Sequence, residues 1–430
     1  MKNTKLLLSA LVFTCTTSLV GNIDVNVLAK STKNTKSEQV KTNHLGLKQI
    51  VEKVLNNSPA LESVRFEALA SEGDYKQSKN YVNPQVTIEA EDFSGDGVYS
   101  GYDSAQTTYG ISQQVLVGGK YGARIDASKQ AVKLAYNKFE ITKLELIKAT
   151  KTAYAEAIFA SENLKIAIEQ KKLAEQVLAN VTKRVNAAAE PAFQKSKAEV
   201  ALANANIQLQ KAEQEAKITK NNLANLWGKN QIDFELSDND FWNYDEIEKI
   251  NPEEVLSIIE KTPYNIALEN SSKQAKANYQ LEKANAIPDP TISLGIRQFQ
   301  QTDNQAFIAG LSIPIPIFNQ NKGNIIKAES QLEQTNKSNE ATLVSLKNEF
   351  INSLNLLEVA NLQIQNFKNQ VLPSAEKAFN QTRDGYNAGK FPYLEVLDAQ
   401  RTLFEARYSY NSALKEYHIQ KANIERFLTK

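Results

Sequence analysis

The second half of this chain repeats the first, and that limits what it can fold into more than any other feature. Asn186-Ala-Ala-Ala-Glu-Pro191 returns as Asn387-Ala-Gly-Lys-Phe-Pro392, an offset of 201 positions. At the same offset, without a gap, Ala198, Leu202, Ala205, Leu209, Ala212, Ala216, Leu223 and Leu226 return as Ala399, Leu403, Ala406, Tyr410, Ala413, Tyr417, Ile424 and Phe427. A turn and a long helical face do not coincide this way by chance. The fold must follow from what the repeated unit can build.

The unit changes period twice. Leu47 to about Lys79 reads as helix with a break near Asn57-Ser58-Pro59, matched by Pro252 to Ala286 with a break at Thr262-Pro263. Alternation follows. Val86, Ile88 and Ala90 interleave with Thr87, Glu89 and Glu91, and Tyr109, Ile111, Val115 and Val117 interleave with Gly110, Ser112 and Gln114. In the second copy Ile292, Leu294 and Ile296, then Phe307, Ala309, Leu311, Ile313, Ile315 and Ile317, do the same. These are four strands, expected at 84–93, 108–117, 290–299 and 306–317, in two hairpins.

Each hairpin leads into a long helix. Ile125, Val132, Phe139, Leu146, Ala153, Ala160, Ala167, Ala174 and Val181 sit seven apart. Leu343/Leu346, Phe350, Leu357/Ala360, Ile364/Phe367 and Val371 keep the same period. A sustained seven-residue repeat imposes coiled-coil packing. About 60 residues at ~1.5 Å each reach roughly 90 Å, far beyond a globular domain. A shorter helix then returns from each turn, so the helical hairpins span about 123–228 and 322–428. The first repeat occupies 45–228, an acidic and aromatic linker 229–250, and the second repeat 251–430.

Strands of about ten residues cross a bilayer when tilted, and one apolar face against one polar face is the outer-membrane barrel pattern. The helices, rich in Lys, Glu, Gln and Asn outside their seams, need water. Barrel and helices must therefore occupy separate layers. A half-buried sheet on a soluble domain is the competing reading of the strands alone. Four strands cannot close, and open edges in lipid leave backbone groups unpaired. Two copies give eight strands, with the interior filled by side chains; three give twelve and a polar lumen. The expected fold is mainly α with a transmembrane β-barrel contribution, a trimeric twelve-stranded barrel continued by an α-helical coiled-coil tube.

Residues 1–29 read as a signal peptide: Lys2 and Lys5, the apolar Leu6 to Val20, and a small-residue site at Val27-Leu28-Ala29. Residues 30–44 are a polar, flexible leader. The one cysteine, Cys15, lies inside the signal, so cleavage leaves a chain without thiols, as suits an oxidising compartment. Lipidation of Cys15 is the alternative, though Val12-Phe13-Thr14 lacks the small residue expected before an acylated cysteine. Fifty basic residues balance 49 acidic ones with no basic block, which argues against nucleic acid.

Catalytic constellations are missing. There is no Ser/His/Asp set, phosphate loop or Cys/His cluster, and the two histidines, His44 and His418, read as surface or interface residues. No enzyme activity, cofactor or metal centre is expected. One carboxylate pair stands out: Glu395 and Asp398, three apart at the start of the second returning helix, where the first copy has Gln194 and Lys197. Helix N-terminal charge would explain Glu395 alone. In a trimer the pair becomes a ring of carboxylates at the far end of the tube, attracting cations and repelling anions.

With these residues in hand, the chain resembles the TolC-type outer-membrane efflux proteins over essentially all of 45–428. The resemblance is specific in Tyr386-Asn-Ala-Gly389 followed by Glu395-Val-Leu-Asp398-Ala-Gln, and in Leu311-Ser-Ile-Pro-Ile-Pro-Ile-Phe-Asn-Gln-Asn-Lys-Gly323. The latter looks like the CzcC/CusC-like subgroup. The resemblance implies a homotrimer in the outer membrane of a diderm bacterium with its helices in the periplasm. It implies docking to a periplasmic adaptor and an inner-membrane pump, through turns at Asn186, Ala188, Pro191, Asn387, Gly389 and Pro392. It also implies a lumen gate of Glu395, Asp398 and Tyr386. Heavy-metal cations are the expected cargo, with multidrug or other small-molecule efflux as the alternative and a secreted coiled coil without a pore third. Phe391 departs from the family, whose best-known member has a basic linking residue there, and Ala188 replaces the turn glycine.

Overall fold

The computed structural model describes residues 44–229, 234–244 and 254–428. The expected signal peptide with Cys15, nearly all of the leader and part of the linker lie outside these residues. In chain order the elements are β1 (His44–Leu45), α1 (Leu47–Asn57), α2 (Pro59–Ser78), β2 (Gln85–Glu91), β3 (Gln106–Gln114), α3 (Lys120–Asn186) and α4 (Ala192–Asn225). There follow β4 (Glu235–Leu236), α5 (Asn239–Trp242), α6 (Val255–Ile259), α7 (Pro263–Asn285), β5 (Thr291–Phe299), β6 (Asn304–Ser312), α8 (Lys322–Asn366), α9 (Leu372–Asn387) and α10 (Tyr393–Leu428).

Proline sets the early breaks. Pro59 and Pro263 begin α2 and α7, and Ser58 and Thr262 before them are extended, as the ring demands. Pro191 caps the returning helix, and α4 starts at Ala192. His44, read as leader, is in β1 and pairs in parallel with Glu235 of β4.

The four long strands form one antiparallel sheet in the order β2-β3-β5-β6. Backbone pairing puts the apolar residues in continuous rows on one face: Val86, Ile111, Leu294, Ala309, and then Ile88, Tyr109, Ile296, Phe307. Among the described residues nothing covers this face, and Phe307 is 91% exposed. The other face is polar or small. There Arg297 reaches Glu91 at 2.8 Å, Thr108 at 2.9 Å and Gln106 at 3.3 Å.

Strand limits differ from the alternating pattern. β6 stops at Ser312, not 317, although Ile313, Ile315 and Ile317 keep alternating. Pro314 and Pro316 have no N–H, so pairing cannot continue. β3 begins two residues early, at Gln106, and stops at Gln114. Its ladder is a backbone property that polar Gln106 and Thr108 share, while Val115 and Val117 turn their N–H groups to Pro290 O and Asp289 Oδ1.

The 67-residue α3 is the spine, packed by α2 and α7 towards the sheet and by α4 and α10 further along. Its seam positions Leu146, Ala160, Ala167, Ala174 and Val181 are buried. In the second half Leu346, Phe350, Leu357, Ala360 and Ile364 are buried, but Val371, expected on the same seam, is 39% exposed. Between α8 and α9 the residues Phe367–Val371 form a π-helical turn. Pro373 has no N–H and its ring would strike the carbonyl four residues back; the wider turn absorbs it. The extra residue per turn moves the seam to Ala375, Phe379 and Tyr386.

Apolar side chains gather in two cores. One joins Ile50 and Val54 of α1, Tyr154 and Ile158 of α3, Leu223 of α4, Phe241 of α5, Phe350 and Ile364 of α8, and Leu414, Tyr417 and Phe427 of α10. The second, near the turns, joins Val177, Val181, Ala198, Phe379, Tyr386, Tyr393, Val396 and Leu403. No helix among the described residues is long and apolar enough to cross a membrane.

Candidate functional site

The two helical turns close with the same backbone bonds. Ala187 N–H donates to Lys183 O, Ala188 to Val185 O and Ala189 to Arg184 O; Ala388 donates to Asp384 O, Gly389 to Tyr386 O and Lys390 to Gly385 O. Both turns need one left-handed residue, Ala188 at φ 54° and Gly389 at φ 72°. Glycine adopts this freely, whereas alanine is strained there.

Side chains close the same turns with opposite chemistry. In the first, Arg184 Nε lies 3.0 Å from Glu190 Oε1. At the matching positions of the second stand Gly385 and Phe391. The Phe391 ring lies so close that a Cβ on residue 385 would sit 2.2 Å from its Cδ2, so only glycine fits.

Arg184 also joins the two turns. Its Nη1 donates to Tyr386 O at 2.9 Å, and its guanidinium lies 4.8 Å from the centre of the Tyr386 ring. Tyr386 is 3% exposed and its ring stands 5.9 Å from that of Tyr393. Burial, followed by the charge of Glu190, pushes the Tyr386 hydroxyl up to about 12, against the opposing pull of Arg184. Burial does the same to Tyr393, also to about 12. Both phenols are therefore neutral at ordinary pH.

Glu395 and Asp398 are exposed at the start of α10, whereas Tyr386 is buried. Glu395 is in the first turn of α10, where a carboxylate complements the helix dipole. Asn186, Ala188, Pro191, Asn387, Gly389 and Pro392 are all exposed at the tips. Sequence reading missed Arg184 and Glu190. The signal was present, because positions 184 and 190 are the places where the two turns differ most from 385 and 391. Among the described residues no group of three or more His, Cys, Asp or Glu is placed to hold a metal ion.

Residues 50–229 and 267–429 match the family model described as outer membrane efflux protein. The chain belongs to that family. It is similar to the cobalt-zinc-cadmium resistance protein CzcC of Cupriavidus metallidurans, 28% identical over 369 residues, covering 86% of each chain. Its fold is shared with the Campylobacter jejuni outer membrane channel CmeC (TM-score 0.77, 14% identity, 92% of this chain and 89% of that one). It is shared equally with CusC, solved in a study of folding and transmembrane channel formation (TM-score 0.73, 19% identity, 93% and 95%).

Proposed function

We propose that this outer membrane efflux protein is the exit duct of a tripartite system, a passive channel for heavy-metal cations delivered by an inner-membrane pump and a periplasmic adaptor. The observation that carries the duct is the sheet. Among the described residues one face is apolar and uncovered, the other polar, and both edge strands, β2 and β6, are unpaired on their outer sides. In lipid those edges must find partners, at several kcal/mol per unpaired group. Three copies of the internally duplicated chain supply twelve strands and a lumen lined by the polar face, with α3, α4 and α8–α10 continuing as a tube in the periplasm.

The edge helices support the same assembly. Among the helices, α4 and α8 flank the layer, and both carry apolar side chains that none of the described residues covers. On α4 these are Phe193, Val200 and Ile207, seven apart; on α8 they are Val344, Leu356, Val359 and Leu362. A neighbouring copy would bury one stripe against the other.

At the periplasmic end, Glu395 and Asp398 would form the charged constriction, and Arg184, Glu190 and Tyr386 the latch that holds the second hairpin tip to the first. The exposed turns at Asn186–Pro191 and Asn387–Pro392 would meet the adaptor. Likeness to CzcC over nearly the whole of both chains supports metal cations as cargo.

Two measurements test this. In planar bilayers the purified trimer should conduct with cation preference, and changing both Glu395 and Asp398 to alanine should weaken that preference. In cells, loss of the protein should sensitise the host to cobalt, zinc and cadmium. Sensitivity to dyes and detergents alone would replace the metal cargo with a multidrug one, and absence of any conductance would end the duct reading.

A further inference from the structure

The carboxylates at the start of α10 have a cation among them. Arg401 Nη2 lies 3.8 Å from Asp398 Oδ1, and its Nε lies 3.5 Å from Glu405 Oε1. The spacing 395, 398, 401, 405 keeps all four on one side of the helix. The side chains of Asp398, Arg401 and Glu405 are each about 70% exposed, at 69%, 72% and 69%. Exposed pairs of this kind add little to stability. Their effect is on the potential in front of them.

We propose that Arg401 is a selectivity-determining residue, a built-in counter-charge that holds the acidic constriction below the field at which multivalent cations would be trapped. The proposal rests on the reading of Glu395 and Asp398 as facing the lumen. A guanidinium is charged at every accessible pH, so the compensation does not switch off as a lysine or histidine could. Arg401 also lines a groove with Asn204 and Gln208 of α4 and Phe404 of α10.

The physical need is clear. A conducting site must bind its ion strongly enough to admit it and weakly enough to release it. Three subunits bring their carboxylates towards one axis, and a ring of uncompensated acids favours a divalent ion twice as strongly as a monovalent one. One positive charge about 5 Å from a cation in a watery lumen changes its occupancy by about fourfold for a monovalent ion, and by more for a divalent one. Arg401 therefore trades some selectivity for release.

The test is single-channel recording of the full-length trimer in planar bilayers, under a potassium chloride gradient and with added zinc chloride. Wild type, Arg401→Gln, Arg401→Lys and Asp398→Asn are compared. Arg401→Gln should raise the potassium-to-chloride permeability ratio about fourfold or more and lower the zinc concentration for half-block by at least as much. Arg401→Lys should stay near wild type, and Asp398→Asn should move both readings the opposite way. If Asp398→Asn acts but Arg401→Gln leaves both unchanged or lowers them, the proposal fails while the constriction stands. If neither variant changes either reading, the constriction itself is misplaced and the proposal falls with it.

Discussion

Arg184 does two jobs at atomic scale, closing its own turn on Glu190 and bonding Tyr386 O of the second tip. A charged donor in a half-buried site contributes about 1.5–3 kcal/mol. Arg184→Gln should therefore shift the tip equilibrium towards separation by roughly tenfold or more, read as higher open probability in bilayers; unchanged gating would remove Arg184 from the latch. A second residue-scale prediction isolates backbone strain. Gly389 has only Arg184 Nη2, at 4.0 Å, near the place a Cβ would take, so Gly389→Ala meets no clash. Its cost is the left-handed φ alone, about 1 kcal/mol. Ala188→Gly should remove a similar strain and gain somewhat less, because glycine is freer when unfolded. Thermal unfolding in detergent should show the two variants moving in opposite directions.

At the level of elements, the segment around α5 is held to α10 by His418, whose Nε2 is 2.8 Å from Phe241 O and whose ring stacks on Phe241 at 5.5 Å. Burial lowers the His418 pKa; the Phe241 carbonyl bond opposes this, Lys421 adds to it, and Asp240 and Glu425 oppose it. A folded pKa below the unfolded value of about 6.5 gives stability that is present above pH 6.5 and lost as pH falls through the folded value. Wild type should thus lose more thermal stability between pH 7.5 and 5 than His418→Gln, and equal losses would show that the imidazole is not the sensor. The sequence reads His418 only as a surface or interface residue, because contact with Phe241 depends on a fold that spans 177 positions. Local signals were more legible. Alternation found the sheet's two faces, and the seven-residue period found α3 and its alanine seam. Both failed where a missing N–H decided the outcome, at Pro314 and Pro316 beyond β6 and at Pro373 beside the π-turn. Arg184 and Glu190 were hidden for another reason: the repeat drew attention to what the turns share, and the latch is built from what they do not.

For the whole molecule the decisive fact is incompleteness. Among the described residues the two outer strand edges, an uncovered apolar sheet face and apolar stripes on α4 and α8 are five unsatisfied surfaces on one chain. Lipid can cover the sheet face but cannot pair a strand edge. In the proposed assembly another copy does that, and a head-to-tail contact of edge to edge closes into a ring when the rotation allows. The stripe on α4 then becomes the place to break assembly without touching the sheet. Val200 and Ile207 are exposed, at 61% and 49%, so replacing both with glutamate should leave one chain's fold intact. In the proposed trimer, facing Val359 and Leu362 of a neighbour, the same change would bury two charges against apolar side chains, a penalty of several kcal/mol at each of three interfaces. The double variant should give monomers or dimers by mass measurement in detergent, with helical content kept. Val98→Glu, exposed at 77% in the strand-connecting loop, should remain a trimer. A trimer from the α4 variant would mean that these stripes face water in the assembly, and that strand pairing alone holds the ring.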